Sequence, residues 1–224
     1  MRYLILPFLL LAAINIRHEI PLIKRETTYD GCKQQLTEQR LQLAHALKNY
    51  NKDSIYKVAG SLLQEAIATT YFEWWKNRPW DYYGKTEKPD SGSIACGYFV
   101  TTILKHCGVS LDRVALAEDY SENMIKKLVT KNHIKKFVPY DNDIFVNYIK
   151  AQGDGLYVIG LDNHTGFISC KQGEVWFVHS SVLTGRVVKE KAIDATTLTY
   201  NRYGVTGCLT KDTAFIGKWL RVCR

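Results

Sequence analysis

The stretch GLYVIGLDNHTGFISCKQGEVWFVHSSVLTGRVVKE, residues 155–190, decides how this chain folds. Within it GLYVIGLD (155–162), HTGFISC (164–170), EVWFVHSS (174–181) and GRVVKE (185–190) are short runs rich in Val, Ile, Phe and Trp. Asp-Asn, Lys-Gln-Gly and Leu-Thr-Gly clusters separate them as turn signals. Runs this closely spaced predict an antiparallel meander, and AFIGKWLRVC (214–223) reads as a further strand.

Upstream the pattern is helical. Leu36, Leu41, Leu43, Ala44 and Leu47 recur at helical spacing over 33–50, and Asp53 offers an N-cap for a second long helix to about Lys76. NRPWDYYGKTEKPDSGS (77–93) is a loop by its Pro, Gly and charge, and the helix after it ends at Gly108. Ser121–Thr130 and Asp143–Ala151 read as helices, with a short strand at Ile134–Val138 between them. Helices followed by strands predict an α+β domain, its N-terminal helices packed on a C-terminal antiparallel β-sheet. Residues 18–79 form the helical N-terminal region and 80–224 the core, with no linker-like or low-complexity run between them.

The N-terminus, MRYLILPFLLLAAINIRHEI, pairs Arg2 with an apolar run from Tyr3 to Ile16, too short to span a bilayer comfortably. Residues 1–17 therefore read as a secretory signal peptide or an uncleaved anchor that would bring the chain to a membrane. The composition, 46% hydrophobic and 23% charged, is that of a globular protein, and 14 tyrosines and 5 tryptophans suit a cleft. The formal charge is +8, but the Lys and Arg residues are scattered, without zinc-finger spacing or an aromatic RNA-binding signature. This argues against nucleic acid and for an anionic envelope polymer or membrane surface as the partner. Six cysteines, at 32, 96, 107, 170, 208 and 223, include no C-x-x-C pair that would suggest metal or redox chemistry. If Cys96 is a nucleophile, at most two disulfides form among Cys32, Cys107, Cys170, Cys208 and Cys223.

SGSIACGYFVTTILKHCG (91–108) places Cys96 near a helix start. With Ser93 as N-cap it is the third helical residue, where orphan N–H groups and the helix dipole favour a thiolate. It equally continues the apolar stripe of Phe99, Val100, Ile103, Leu104 and Cys107, so the helix alone leaves core residue and nucleophile both open. A nucleophilic cysteine needs a histidine base oriented by a third polar group. His18, His45, His106 and His133 are badly placed to reach the helix start. His164 opens one strand and His179 closes the next, and a hairpin centred near 171.5 makes them cross-strand neighbours. Spacing alone is also met by two unrelated strand-end histidines.

IACGYFV resembles the nucleophile segment of the NlpC-type cell-wall cysteine peptidases, a papain-like family with the pattern Asp-Cys-Ser-Gly-Phe-Val; Cys96, Phe99 and Val100 match. GDGLYVIGLDNHTGFI is similar to the family's Gly-Asp-Leu-Val-Phe-Phe strand and following His-Val-Gly-Ile, through Gly153, Asp154, Leu156, His164 and Gly166. WFVHSSVLTGRVV is similar to the strand carrying the third catalytic polar residue, often a histidine, with Gly185 and Val187 in its sequel. The resemblance covers roughly residues 80–190 in the family's order. Ala95 and Gly97 replace the family's Asp and Ser, Gly155 interrupts the Gly-Asp-Leu run, and neither the helices before Trp80 nor 107–152 match.

The resemblance implies a papain-like fold and a secreted or periplasmic thiol hydrolase cleaving an amide bond, with peptidoglycan stem peptides as substrate. Cys96 would attack, His164 act as base, and His179 orient His164. The Cys96 N–H, with Tyr82 or Tyr83 of the WDYYG loop, would hold the oxyanion. No metal or organic cofactor is implied. The alternatives are a non-catalytic envelope-binding protein with the same fold, and an amidase or transferase acting on another substrate.

Overall fold

In a computed structural model, residues 27–221 are described; the expected signal or anchor segment, His18 and Cys223 lie outside them. The chain runs through α1 (Tyr29–Ala46), α2 (Lys52–Glu65), a π-helical turn (Ala66–Tyr71) and α3 (Phe72–Trp75). Then come α4 (Cys96–His106), α5 (Arg113–Ala117), α6 (Ser121–Leu128), β1 (Ile134–Phe137) and α7 (Asn142–Gln152). The meander β2 (Gly155–Leu161), β3 (Thr165–Lys171), β4 (Glu174–Ser181) and β5 (Arg186–Lys191) leads to α8 (Thr196–Thr199), β6 (Gly204–Cys208) and α9 (Thr213–Leu220). The fold is α+β. One six-stranded sheet, ordered β1-β6-β2-β3-β4-β5, is antiparallel throughout.

The sheet is covered on both faces, which is why its central strands are apolar at nearly every position. Leu156, Val158, Phe167, Val178, Val187 and Val205 share a core with α1, α2 and α4, through residues such as Leu43, Leu63, Phe99 and Ile103. The alternate residues Tyr157, Ile159, Ile168, Val175 and Phe177 join Phe137, Phe145 and Ile149 in a second core on the opposite face. Among the described residues no helix is long and apolar enough to cross a membrane.

Three expectations are corrected, and one strand is added. Where the expected strand 214–223 falls within the described residues it is helical: Thr213–Leu220 forms α9, with Asp212 accepting from the N–H groups of Ala214 and Phe215. Phe215, Ile216, Trp219 and Leu220 lie on its buried side, a spacing that fits a helix and not an alternating strand. The sixth strand is instead GVTGC (204–208), where the glycines hide the strand signal. They are there for close approach: a Cβ on Gly204 would lie 2.3 Å from the Tyr140 ring, and one on Gly207 2.6 Å from Ile125. The second helix is capped by Asn51, whose side chain accepts from the N–H groups of Asp53 and Ser54, rather than by Asp53. Finally, the β3–β4 hairpin closes on the two-residue turn Gln172-Gly173, both at positive φ (54° and 80°). Lys171 therefore pairs with Glu174, and His179 falls opposite the register position of Gly166 rather than of His164.

Candidate active site

Cys96 is the first residue of α4, not the third. Residues 93–95 are held extended, because the N–H of Ile94 donates to Pro79 O and the N–H of Ala95 to Gly84 O. Ala95 is thus the N-cap, without a capping side chain, and Ser93 plays no such part. Gly97 explains one departure from the family pattern: a Cβ there would sit 2.4 Å from Ala117 O, so α5 closes on α4 only without a side chain. Against this helix start lies a cavity of about 560 Å³, lined among others by Cys96, Asp119, Tyr120, Glu122, His164 and Tyr203.

His164 enters the cavity from the β2–β3 turn, where its carbonyl accepts from the Leu161 N–H at 2.8 Å. Its Nε2 lies 2.7 Å from Nδ1 of His179. His179 Nε2 in turn lies 2.9 Å from Glu190 Oε1. His179 is fully buried and stacked on Phe177, ring centroids 3.8 Å apart and planes 13° from parallel. Ser180 Oγ donates to Ile94 O at 2.7 Å, tying the strand that carries His179 to the segment that delivers Cys96. His164 Nδ1 makes no hydrogen bond among the described residues. The backbone N–H groups of Thr165, Gly97 and Cys96 itself favour the thiolate form of Cys96.

Burial dominates the electrostatics. It pushes the Cys96 thiol up, and the three N–H groups only partly offset this. The helix dipole, worth about 0.3–1 kcal/mol at an exposed end, does not overcome a desolvation that can reach roughly 3–5 pKa units at about 1.4 kcal/mol each. The expected lowering of the thiol by its helix position is therefore corrected. Burial, with His179 adding to it, holds His164 down to about 3. His179 is lowered by burial against the opposing pull of Glu190. At neutral pH the resting groups are a thiol and two uncharged imidazoles.

This state has a measurable signature. Iodoacetamide should label Cys96 ahead of Cys107, which is 2% exposed and raised further by burial, with a Cys96 rate still climbing above about pH 8. A rate that levels off below neutrality, read by peptide mapping, would show a preformed thiolate instead.

Gly166 makes the histidine pair possible. A Cβ there would fall 2.6 Å from the Phe177 ring and 2.7 Å from His179 Cβ, inside the stack that orients His179. Gly166→Ala should cost about 1–3 kcal/mol by overpacking and shift the His179 ring, checked by thermal melts and the histidine NMR signals. An unchanged melting temperature and spectrum would contradict this packing.

Tyr82 and Tyr83 do not line the cavity. Asp81 folds the loop, its Oδ1 accepting from the Tyr83 N–H and its carbonyl from the Gly84 N–H, and the two rings stand 73% and 80% exposed, edge to face with each other. The tyrosines of the cavity are Tyr120 and Tyr203, the latter donating its hydroxyl to Glu122. Tyr120 lies in 107–152, which matches no family pattern. Glu190 also escapes the sequence reading, although alternation signals it: His179 pairs with Val188 and Phe177 with Glu190, so Glu190 lies on the His179 face, one diagonal step along.

His45 is exposed on α1, His133 half-buried in the turn before β1, and His106 bonded through Nδ1 to the Tyr29 hydroxyl at 2.8 Å; none is in the cavity. Cys32, Cys96, Cys107, Cys170 and Cys208 are all free thiols. Among the described residues no three His, Cys, Asp or Glu side chains are grouped to hold a metal ion.

No family model matches the chain, and no curated protein matches it. Among solved structures it is similar to the crystal structure of protein LPG0564 from Legionella pneumophila str. Philadelphia 1, of family model DUF1460. The two are 12% identical with a TM-score of 0.34, over 81% of this chain and 97% of that one.

Proposed function

We propose that this chain is an exported thiol hydrolase of papain-like, NlpC-type build that cleaves an amide bond in peptidoglycan stem peptides by acyl transfer. The observation that carries the reading is the shared cavity of Cys96 and His164, with His164 held through Nε2 by His179 and its Nδ1 left over. The cell-wall substrate rests on the sequence resemblance and on the +8 charge, which favours an anionic wall.

In the reaction, the Cys96 proton passes to His164 Nδ1 as Sγ attacks the scissile carbonyl carbon. The oxyanion accepts from the Cys96 N–H, one of the orphan donors of the first helical turn. Collapse breaks the C–N bond, and His164 gives its proton to the departing amine. A water then attacks the thioester, its proton going to His164 and on to the sulfur, which releases the acid and restores the thiol. Because thiol and imidazole rest uncharged, the thiolate forms during attack rather than before it.

The test is digestion of purified peptidoglycan by the mature protein, with new amine ends identified by mass spectrometry against Cys96→Ala. New ends with the wild type alone are expected. None from either protein, with binding to the wall retained, would favour the envelope-binding alternative.

A further inference from the structure

We infer that Glu190 is a positioning residue that fixes the tautomers of both histidines and thereby makes Nδ1 the basic nitrogen of His164. The tautomer assignment rests on geometry alone; its consequence for turnover rests on the function proposed above.

The Glu190 carboxylate can only accept hydrogen bonds. At 2.9 Å from it, His179 Nε2 must carry a proton, since a bare ring nitrogen would set lone pair against lone pair. A neutral imidazole has one N–H, so His179 Nδ1 is bare and accepts. His164 Nε2, 2.7 Å away, must then be the donor. Its own single proton thus used, His164 keeps its lone pair on Nδ1, the nitrogen that must receive the Cys96 proton. A doubly protonated His179 would reverse the inner bond, but the ring is fully buried, and burial of a cation is opposed.

The surroundings keep Glu190 on this task. Its neighbours Lys189 and Lys191 are turned away: both lie over the Trp176 ring, and Lys189 Nζ donates to Ala68 O. Among the described residues the only ion-pair partner of Glu190 is His179. The stack on Phe177 holds the plane of the His179 ring, and turning it over would put carbons where His164 and Glu190 now meet nitrogens. When His164 takes the thiol proton, its positive charge faces Glu190 through a neutral ring, much as a buried carboxylate orients and compensates a catalytic histidine elsewhere.

The test is imidazole ¹⁵N NMR of the ¹⁵N-histidine-labelled full chain near neutral pH, with Glu190→Gln and Glu190→Ala beside the wild type. In the wild type His164 and His179 should each show a protonated Nε2 and a bare Nδ1. Glu190→Gln, whose amide can accept or donate, should mix the His179 tautomers, and Glu190→Ala should broaden them further. Where hydrolysis is measured, kcat should fall at least about tenfold with KM unchanged. A protonated His179 Nδ1 in the wild type, or the same ring-nitrogen pattern in folded Glu190→Gln and Glu190→Ala, would overturn the inference. The expected NMR pattern with no hydrolysis of any peptide would leave Glu190 in place and remove the proposed function instead.

Discussion

Cys96→Ala should lower kcat for peptidoglycan cleavage by on the order of 10⁶, essentially to background, because it removes the atom that forms the thioester. The alanine keeps the backbone N–H that holds the oxyanion and starts the helix from the same position, so binding should persist while turnover is lost. Cys96 is only half-buried, and loss of one sulfur there should cost no more than about 1 kcal/mol. A thermal melt close to wild type would show that the loss is chemical. Retained cleavage would mean that another group attacks, and among the described cysteines Cys96 alone lines the cavity.

His164→Ala should lower kcat by about 10²–10⁴, the usual contribution of a positioned base, with no nearby group to replace it. His179→Ala should be milder, because nucleophile and base both persist and only the orientation of His164 is lost. His179→Gln should recover part of that loss: its amide oxygen can accept from His164 Nε2 while its NH₂ donates to Glu190. The pH dependence follows from burial. With His164 held down to about 3, the neutral, base-competent form persists far below the ordinary imidazole range. Wild-type kcat/KM should therefore hold its neutral value down to about pH 5. An acid limb near 6.5 would contradict the uncharged pair. A His179→Ala loss exceeding that of His164→Ala at equal melting temperature would exchange their roles.

Much of this arrangement is legible in the sequence because it rests on local patterns. Strand runs and turn signals between 155 and 190 predict the meander, and the apolar stripe after Cys96 predicts the helix against it. What escapes depends on tertiary contacts. GVTGC reads as no strand, since its glycines are needed by Tyr140, Ile125 and Val129, which approach it from elsewhere in the chain. AFIGKWL satisfies a strand by composition and a helix by spacing, and its Asp212 cap decides. The hairpin register turns on Gln172 taking a positive φ, which no side-chain pattern announces. Even so, the two-residue shift in pairing keeps His164 and His179 on one face and in contact, because a diagonal neighbour is within reach of an imidazole. The thiol's raised pKa could not be read from a helix start, since it depends on how deeply the cavity buries the sulfur.

Whether Cys96 is the nucleophile that accepts the acyl group is decided by trapping the intermediate. The wild type would be mixed with a peptidoglycan stem peptide, quenched in acid within milliseconds to seconds, and its peptides mapped by mass spectrometry. A thioester is expected on the peptide carrying Cys96, absent from Cys96→Ala and disappearing as the released acid accumulates. Turnover in the wild type with no adduct on Cys96 at any quench time, and equal turnover in Cys96→Ala, would contradict that role for Cys96.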